Sequence, residues 1–319
     1  MKFERQAAGL AATLAAWLWA ASAAVAAPLC PPLPVATGAA PADRGVLWEL
    51  HKDGRRSWLY GTLHFGKPDW MRPGPRLSAA LASSDVVALE IDPAEPGLPP
   101  APAPEQPDAA AALPAPLLAR LAAASERACL PPGALAAMPP ILQATVLTML
   151  DARWLGLDAS YAQEHLLAMQ ARTRRLPLLA LETAAQQLQA LSGQTPAQTQ
   201  AMVAQALDHL DDKRVRAVML RLAAAWEAGD LQTLEDFERW CECATTDEDR
   251  AFLQRMNDVR NPHLADGIAA RHAAGQRVFA AVGALHMTGP AGLPRLLAER
   301  GFRVQRVLFD ARAAAPAKR

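Results

Sequence analysis

Two histidines and two glutamates close apolar runs in this sequence, and those four side chains are the ones best suited to do chemistry together. Gly61-Thr62-Leu63-His64 follows Trp58-Leu59-Tyr60, and Gly283-Ala284-Leu285-His286 follows Val278-Phe279-Ala280-Ala281-Val282. Val86-Val87-Ala88-Leu89 runs into Glu90, and Leu178-Leu179-Ala180-Leu181 runs into Glu182. Each run is short, bulky and β-prone, so each reads as a buried strand. Four strands would then deliver two imidazoles and two carboxylates to the carboxyl rim, where open α/β sheets keep their sites. Neutral imidazoles with carboxylates suit a divalent metal such as zinc or manganese. Any one of these residues alone could simply cap its strand; the fourfold repetition favours a shared site.

The elements that must position these groups can be read along the chain. Val46 to Leu50, a turn at Lys52-Asp53-Gly54, and Ser57 to Leu63 form a hairpin pattern, with Asp-Gly between two apolar runs. Pro75 opens a helix that Ser84-Asp85 ends before the strand carrying Glu90. Residues 92–116 are mostly proline and alanine and read as an exposed linker. Residues 117–175 carry helical periodicity, with Trp154, Leu157, Tyr161, His165 and Met169 spaced near three and four, and are expected to cap the strand rim. Thr183 starts a helix to Leu191, Gln194 to Gly229 gives two more with a turn near Asp211-Asp212, and Glu235 to Met256 is a further helical region. Asn261-Pro262 reads as a helix start with Asn261 as its cap. The closing unit is strand, loop, helix and strand, with alternating Phe302 to Val307 last. It places His286 shortly before a helix amino terminus. Gly61 and Gly283 fit a bulge or the close approach of another backbone. The expected architecture is α/β: a central mixed, largely parallel sheet flanked by helices, with a helical insertion.

Residues 1–26 resemble a secretory signal: Lys2 and Arg5, an alanine-rich apolar stretch, and Ala24-Val25-Ala26 as a cleavage site. The apolar stretch is shorter than the roughly 20 residues of a bilayer-spanning helix, so no permanent span is expected. Residues 27–319 would form one domain in the periplasm or outside the cell. Cys30, Cys129, Cys241 and Cys243 allow three disulfide connectivities. Cys30 with Cys129 would be a long-range staple, leaving Cys241 and Cys243 as a local pair or as free thiols.

Lysine plus arginine number 32 and aspartate plus glutamate 32, for a formal net charge of zero. That balance argues against a nucleic-acid surface, which needs clustered positive charge. The sequence also lacks His-Glu-x-x-His, Gly-x-Ser-x-Gly, a phosphate loop and Gly-x-Gly-x-x-Gly. His51, His165, His209, His263 and His272 lie in turns or helical stretches and are not assigned to catalysis.

With both Gly-x-x-His motifs, the two Leu-Glu strand ends, Gly156-Leu157-Asp158, Arg260-Asn261 and Gly289 in this order, the chain resembles the TraB/GumN family, related to the TIKI secreted proteases. The resemblance implies a sheet-centred fold like the erythromycin-esterase and ChaN group. It also implies a metal-dependent peptidase activity supported by manganese or cobalt. Carried over by residue, it makes His64 and His286 ligands or catalytic imidazoles, Glu90 and Glu182 the carboxylates, and Arg260 and Asn261 polar support.

On that basis His64, His286 and Glu90 would hold a divalent metal (Mn, Co or Zn), which lowers the pKa of bound water to about 7 and polarises a carbonyl. Glu182 would take the proton as general base, although the sequence leaves open which glutamate is ligand and which is base. Arg260 would stabilise an oxyanion, or else form a surface salt bridge; Asn261 supports the site or caps its helix. The expected function is an exported metal-dependent hydrolase acting on a peptide or another small molecule. The alternative is a periplasmic haem- or metal-binding protein without turnover, because histidine also ligates haem iron.

Overall fold

The computed structural model describes residues 30–93, 113–193 and 195–309. The signal-like segment and most of the proline- and alanine-rich linker lie outside the described residues. Six strands form one sheet: β1 (Val46–Lys52), β2 (Arg55–Thr62), β3 (Val86–Leu89), β4 (Leu178–Ala180), β5 (Val278–Gly283) and β6 (Arg303–Val307). Their order is β4-β3-β5-β2-β1-β6. The neighbours β4, β3, β5 and β2 are parallel, and β1 runs against both β2 and β6.

Composition explains the parallel centre. Every residue of β3 is buried, and β5 is buried through Val282, as expected of strands covered on both faces. The hairpin between β1 and β2 turns on Asp53 at φ 50° and Gly54 at φ 70°. Positive φ at both positions matches the twist of the flanking strands.

Two element assignments are corrected. Strand β4 is not a buried strand but a half-exposed edge of three residues, paired only with β3. The closing unit keeps its strand–helix–strand pattern: the helix Leu293–Glu299 leads to β6, parallel to β5 in the same sheet but at the far edge, with β2 and β1 between them. The region from Glu235 to Met256 is broken into Phe237–Trp240 and Asp247–Met256 by the Cys241–Cys243 loop.

The insertion divides its loyalties. The helices Ala115–Arg127 and Pro140–Asp151 share a core of Leu121, Ala124, Ile141, Ala144 and Leu147 with Val203 and Leu207 of the later helix Pro196–Asp211. The helix Gln163–Arg174 instead packs on β3 and β4 through Leu167, Ala168 and Ala171. Trp154 and Met169, at either end of the expected apolar stripe, are 39% and 46% exposed. The reason is a break in phase: the Asp158 side chain caps a short turn at Ala159–Tyr161, so the residues beyond it face a different way. Cys30 is bonded to Cys129, tying the amino-terminal segment to this insertion. Among the described residues, no helix is long and apolar enough to cross a membrane.

Candidate functional site

Since β2, β3, β4 and β5 run the same way, their carboxyl ends share one rim, and the residues that follow them meet there. Glu90 leaves β3 and stays buried; its Oε1 accepts the Gly283 N–H from the end of β5 at 2.7 Å. Glu182, two residues beyond β4, is buried as well. Its backbone N–H donates to the Glu90 carbonyl at 2.8 Å, which extends the β3–β4 pairing by one step.

Arg260 joins the two acids. Nη2 lies 2.5 Å from Glu90 Oε2 and 2.5 Å from Glu182 Oε2, and Nε donates to Glu182 Oε1 at 2.9 Å. Nη1 anchors to the Met256 carbonyl at 2.8 Å and faces His286 Nε2 at 3.2 Å. Gln187 bridges the same carboxylates, 3.0 Å from Glu90 and 3.3 Å from Glu182. The Thr183–Gln186 capping box starts the helix that carries it.

Each imidazole is anchored at Nδ1. His286 Nδ1 lies 2.6 Å from Asn261 Oδ1, and Asn261 Nδ2 donates to the Ala291 carbonyl at 2.9 Å. With its amide nitrogen so committed, Asn261 accepts from His286, leaving the Nε2 lone pair of that ring to accept from Arg260 Nη1. Asn261 therefore does not cap its helix: it is the first residue of Asn261–Ala273, which has no side-chain cap.

His64 Nδ1 lies 3.2 Å from Glu164 Oε1, and Thr62 Oγ1 donates to the same oxygen at 2.5 Å. Glu164 arrives because the loop after His64 is sewn to the start of the helix Gln163–Arg174. Gly66 and Asp158 exchange backbone hydrogen bonds, and Gln163 N–H donates to the Leu63 carbonyl at 3.1 Å. Sequence reasoning missed Glu164 and Gln187. An acid in the first turn of a helix reads as dipole complement, and neither residue follows a strand.

Electrostatics separates the two rings. Burial pushes His286 down to about 4, so it is neutral at pH 7. The Glu164 carboxylate pushes His64 up to about 9; because this ring is 61% exposed, water screens part of that attraction. Burial alone would raise Glu90, but His286, His64, Arg260 and the Gly283 N–H outweigh it and hold the carboxyl down to about 2.

The donor types suit a divalent cation, and two observations bear on the fit, one of space and one of an unmatched acceptor. A Cβ added to Gly283 would stand 3.4 Å from Glu90 Oε1, 3.5 Å from His286 Cδ2 and 3.8 Å from His64 Nε2, so the missing side chain leaves a space on which all three groups border. Glu164 Oε2 is buried without a hydrogen-bond partner, an acceptor left unmatched beside His64. As placed, His286 Nε2 is engaged by Arg260, and no three His, Cys, Asp or Glu side chains among the described residues already form a ligand set.

Gly61, by contrast, serves packing: a Cβ there would meet Val46 Cγ2 at 2.6 Å. Neither glycine forms a bulge, since both pair in register between β2 and β5. Two other histidines are satisfied elsewhere. His272 is buried between Ser57 Oγ at 2.8 Å and the Lys52 carbonyl at 2.9 Å, and His51 pairs with Glu49. A cavity of about 500 Å³ lies between the insertion, at Leu147 and Trp154, and the later residues Leu210 and Arg216, and no rim residue lines it.

The chain is 28% identical over 252 residues to the uncharacterized protein YbaP of Shigella flexneri, covering 76% of this chain and 88% of that protein. No solved structure matches. The model of the TraB/PrgY/gumN family matches residues 46–306, a span that holds all four strand ends, and the chain belongs to that family.

Proposed function

We propose that the rim of β2, β3, β4 and β5 is the centre of an exported, metal-dependent hydrolase whose substrates carry a peptide bond or a similar carbonyl. The carrying observation is the shared placement of the imidazoles: Asn261 Oδ1 holds Nδ1 of His286 and Glu164 Oε1 stands beside Nδ1 of His64, which makes Nε2 the coordinating atom of each ring once Arg260 Nη1 yields the one on His286. Metal-binding histidines are oriented in just this way by an acceptor on the second nitrogen. His64, His286 and Glu90 would hold the ion, a divalent Mn, Co or Zn. When bound, it would supply an acidified water and a polarised carbonyl.

The remaining groups divide the work. Glu182 accepts the proton at its carboxylate, and Gln187 fixes the distance between the two acids. Arg260, cationic and only 10% exposed, balances the negative charge that develops on the carbonyl oxygen. Asn261 keeps His286 in one tautomer.

Elemental analysis of protein purified without chelator, together with hydrolysis of a peptide mixture, tests the reading. The expected outcome is a bound divalent metal, lost with activity in His64→Ala and in His286→Ala and restored to wild type by Mn, Co or Zn after chelation. Unchanged metal content in both variants would reject the ligand assignment. Metal loss without any hydrolysis in wild type would reject the enzyme.

A further inference from the structure

Away from the rim, the loop Cys241-Glu242-Cys243 carries a disulfide across a sequence separation of 2, whereas Cys30–Cys129 spans 99. A disulfide stabilises mainly by restricting the unfolded chain, and the effect grows with the loop it closes, so this small ring adds little. It also holds Glu242, a residue with a side chain, at φ 54°, in the left-handed region that disfavours one. A bond that stabilises little while its loop strains the backbone opens readily to an incoming thiol.

The surroundings distinguish the two sulfurs. Cys241 is 2% exposed, and its Sγ accepts the Cys243 N–H at 3.1 Å. Cys243 is half-buried and next to the exposed Glu242. An incoming thiolate therefore reaches Cys243, and the sulfur it displaces already has a backbone donor for its negative charge. A cavity of about 270 Å³ adjoins both cysteines. Arg221 and Arg214, the latter paired with Asp212, bring positive charge to it and His209 a ring nitrogen, against the one lining acid, Glu242, while Val215, Val218 and Trp240 give it an apolar wall. Arg221 stacks over Trp240 at 4.4 Å. Cationic surroundings favour thiolates, and the wall can seat the side chains that flank a substrate cysteine.

We propose that Cys241 and Cys243 form a thiol–disulfide exchange site for cysteine-containing peptide segments, separate from the rim. The peptide thiolate attacks Cys243 Sγ, the S–S bond breaks, and its electron pair leaves on Cys241. A second peptide thiol then displaces Cys243, and the peptide departs as a disulfide. Two electrons and two protons pass from the peptide dithiol to the cysteine pair. A low-molecular-weight disulfide of the glutathione type restores the bond by the reverse exchange.

The whole chain is the material for the test, with Cys30–Cys129 as internal reference. Equilibration in graded reduced and oxidised glutathione, followed by alkylation and peptide mapping, should open Cys241–Cys243 at an effective reductant level at least about tenfold below that needed for Cys30–Cys129. Glu242→Gly, which relieves the left-handed strain, should raise the level needed for the small ring about fivefold. A dicysteine peptide should be oxidised by the wild type and not by Cys241→Ser/Cys243→Ser. Opening of both bonds at one level, or equal peptide oxidation by the two proteins, would overturn the proposal.

Discussion

Arg260 meets Glu182 through two contacts side by side, Nε to Oε1 at 2.9 Å and Nη2 to Oε2 at 2.5 Å. The same Nη2 reaches Glu90, so one guanidinium stands between two carboxylates that are 5% and 4% exposed. Breaking a buried ion pair from one side costs about 3–5 kcal/mol because a charge is left without a partner. Arg260→Ala is therefore expected to lose about that much unfolding free energy in urea. Arg260→Lys should recover only part of it, since an ammonium keeps the charge and loses the fork. Equal stability of Arg260→Ala and wild type would show that the carboxylates are not held by this residue.

The two rim glycines should respond in opposite ways. An alanine at 283 meets its neighbours at ordinary contact distances, and the backbone there, at φ −47°, accepts a side chain. Gly283→Ala should fold within about 1 kcal/mol of wild type while filling the space between His64, Glu90 and His286, and so abolish metal uptake. Gly61→Ala drives a methyl into Val46 and should cost about 1–3 kcal/mol. Calorimetry and metal analysis on the pair separate the effects.

Glu164 is expected to act through His64. Replacing an outer partner of a ligating histidine lowers metal affinity about 10- to 100-fold, so Glu164→Gln should show that loss in a competition titration with a chromophoric chelator. An unchanged affinity would mean that the Glu164–His64 contact does not orient a ligand.

Asp69 supplies a pH-dependent clamp on the amino-terminal segment. Its carboxylate accepts from Thr37 Oγ1 at 2.6 Å, from Thr37 N–H at 2.8 Å and from Arg72 at 3.1 Å, and these hold its pKa down to about 2 from 3.8. A depressed acid stabilises above its unfolded pKa and loses that contribution as pH falls through the folded value. The urea midpoints of wild type and Asp69→Asn should thus differ steadily above about pH 5 and converge by about pH 2. A difference that persists unchanged in acid would contradict this.

The Cys30–Cys129 bond closes a separation of 99 residues, for which loop entropy predicts about 4–5 kcal/mol. Cys30→Ser/Cys129→Ser should unfold at correspondingly lower urea, whereas Cys241→Ser/Cys243→Ser should shift the midpoint far less.

How much of this was legible in the sequence follows from where each residue sits. Buried parallel strands leave unbroken apolar runs, so the ends carrying His64, Glu90 and His286 could be read directly, as could the Asp53-Gly54 turn. Strand β4 brings Glu182 to the rim from a run that proved to be an edge. Glu164 and Gln187 were hidden because helices deliver them, and a polar residue on a helix looks the same whether it meets solvent or an imidazole. Asn261 read as a cap from its neighbour Pro262, whereas its true partner, His286, lies 25 residues away. The pairing of the helix Pro196–Asp211 with the insertion rests on side chains far apart in the chain, which periodicity alone does not join.

Among the described strands, the single reversed one has a practical consequence. Since β1 runs against β2, the connection at Asp53 and Gly54 emerges at the end of the sheet opposite His64 and Glu90, and both its residues are exposed. A foreign peptide, epitope or fluorescent reporter spliced between those two positions would project away from the rim, which makes this corner the natural handle for immobilising or labelling the protein without touching His64, Glu90, Glu182 or His286.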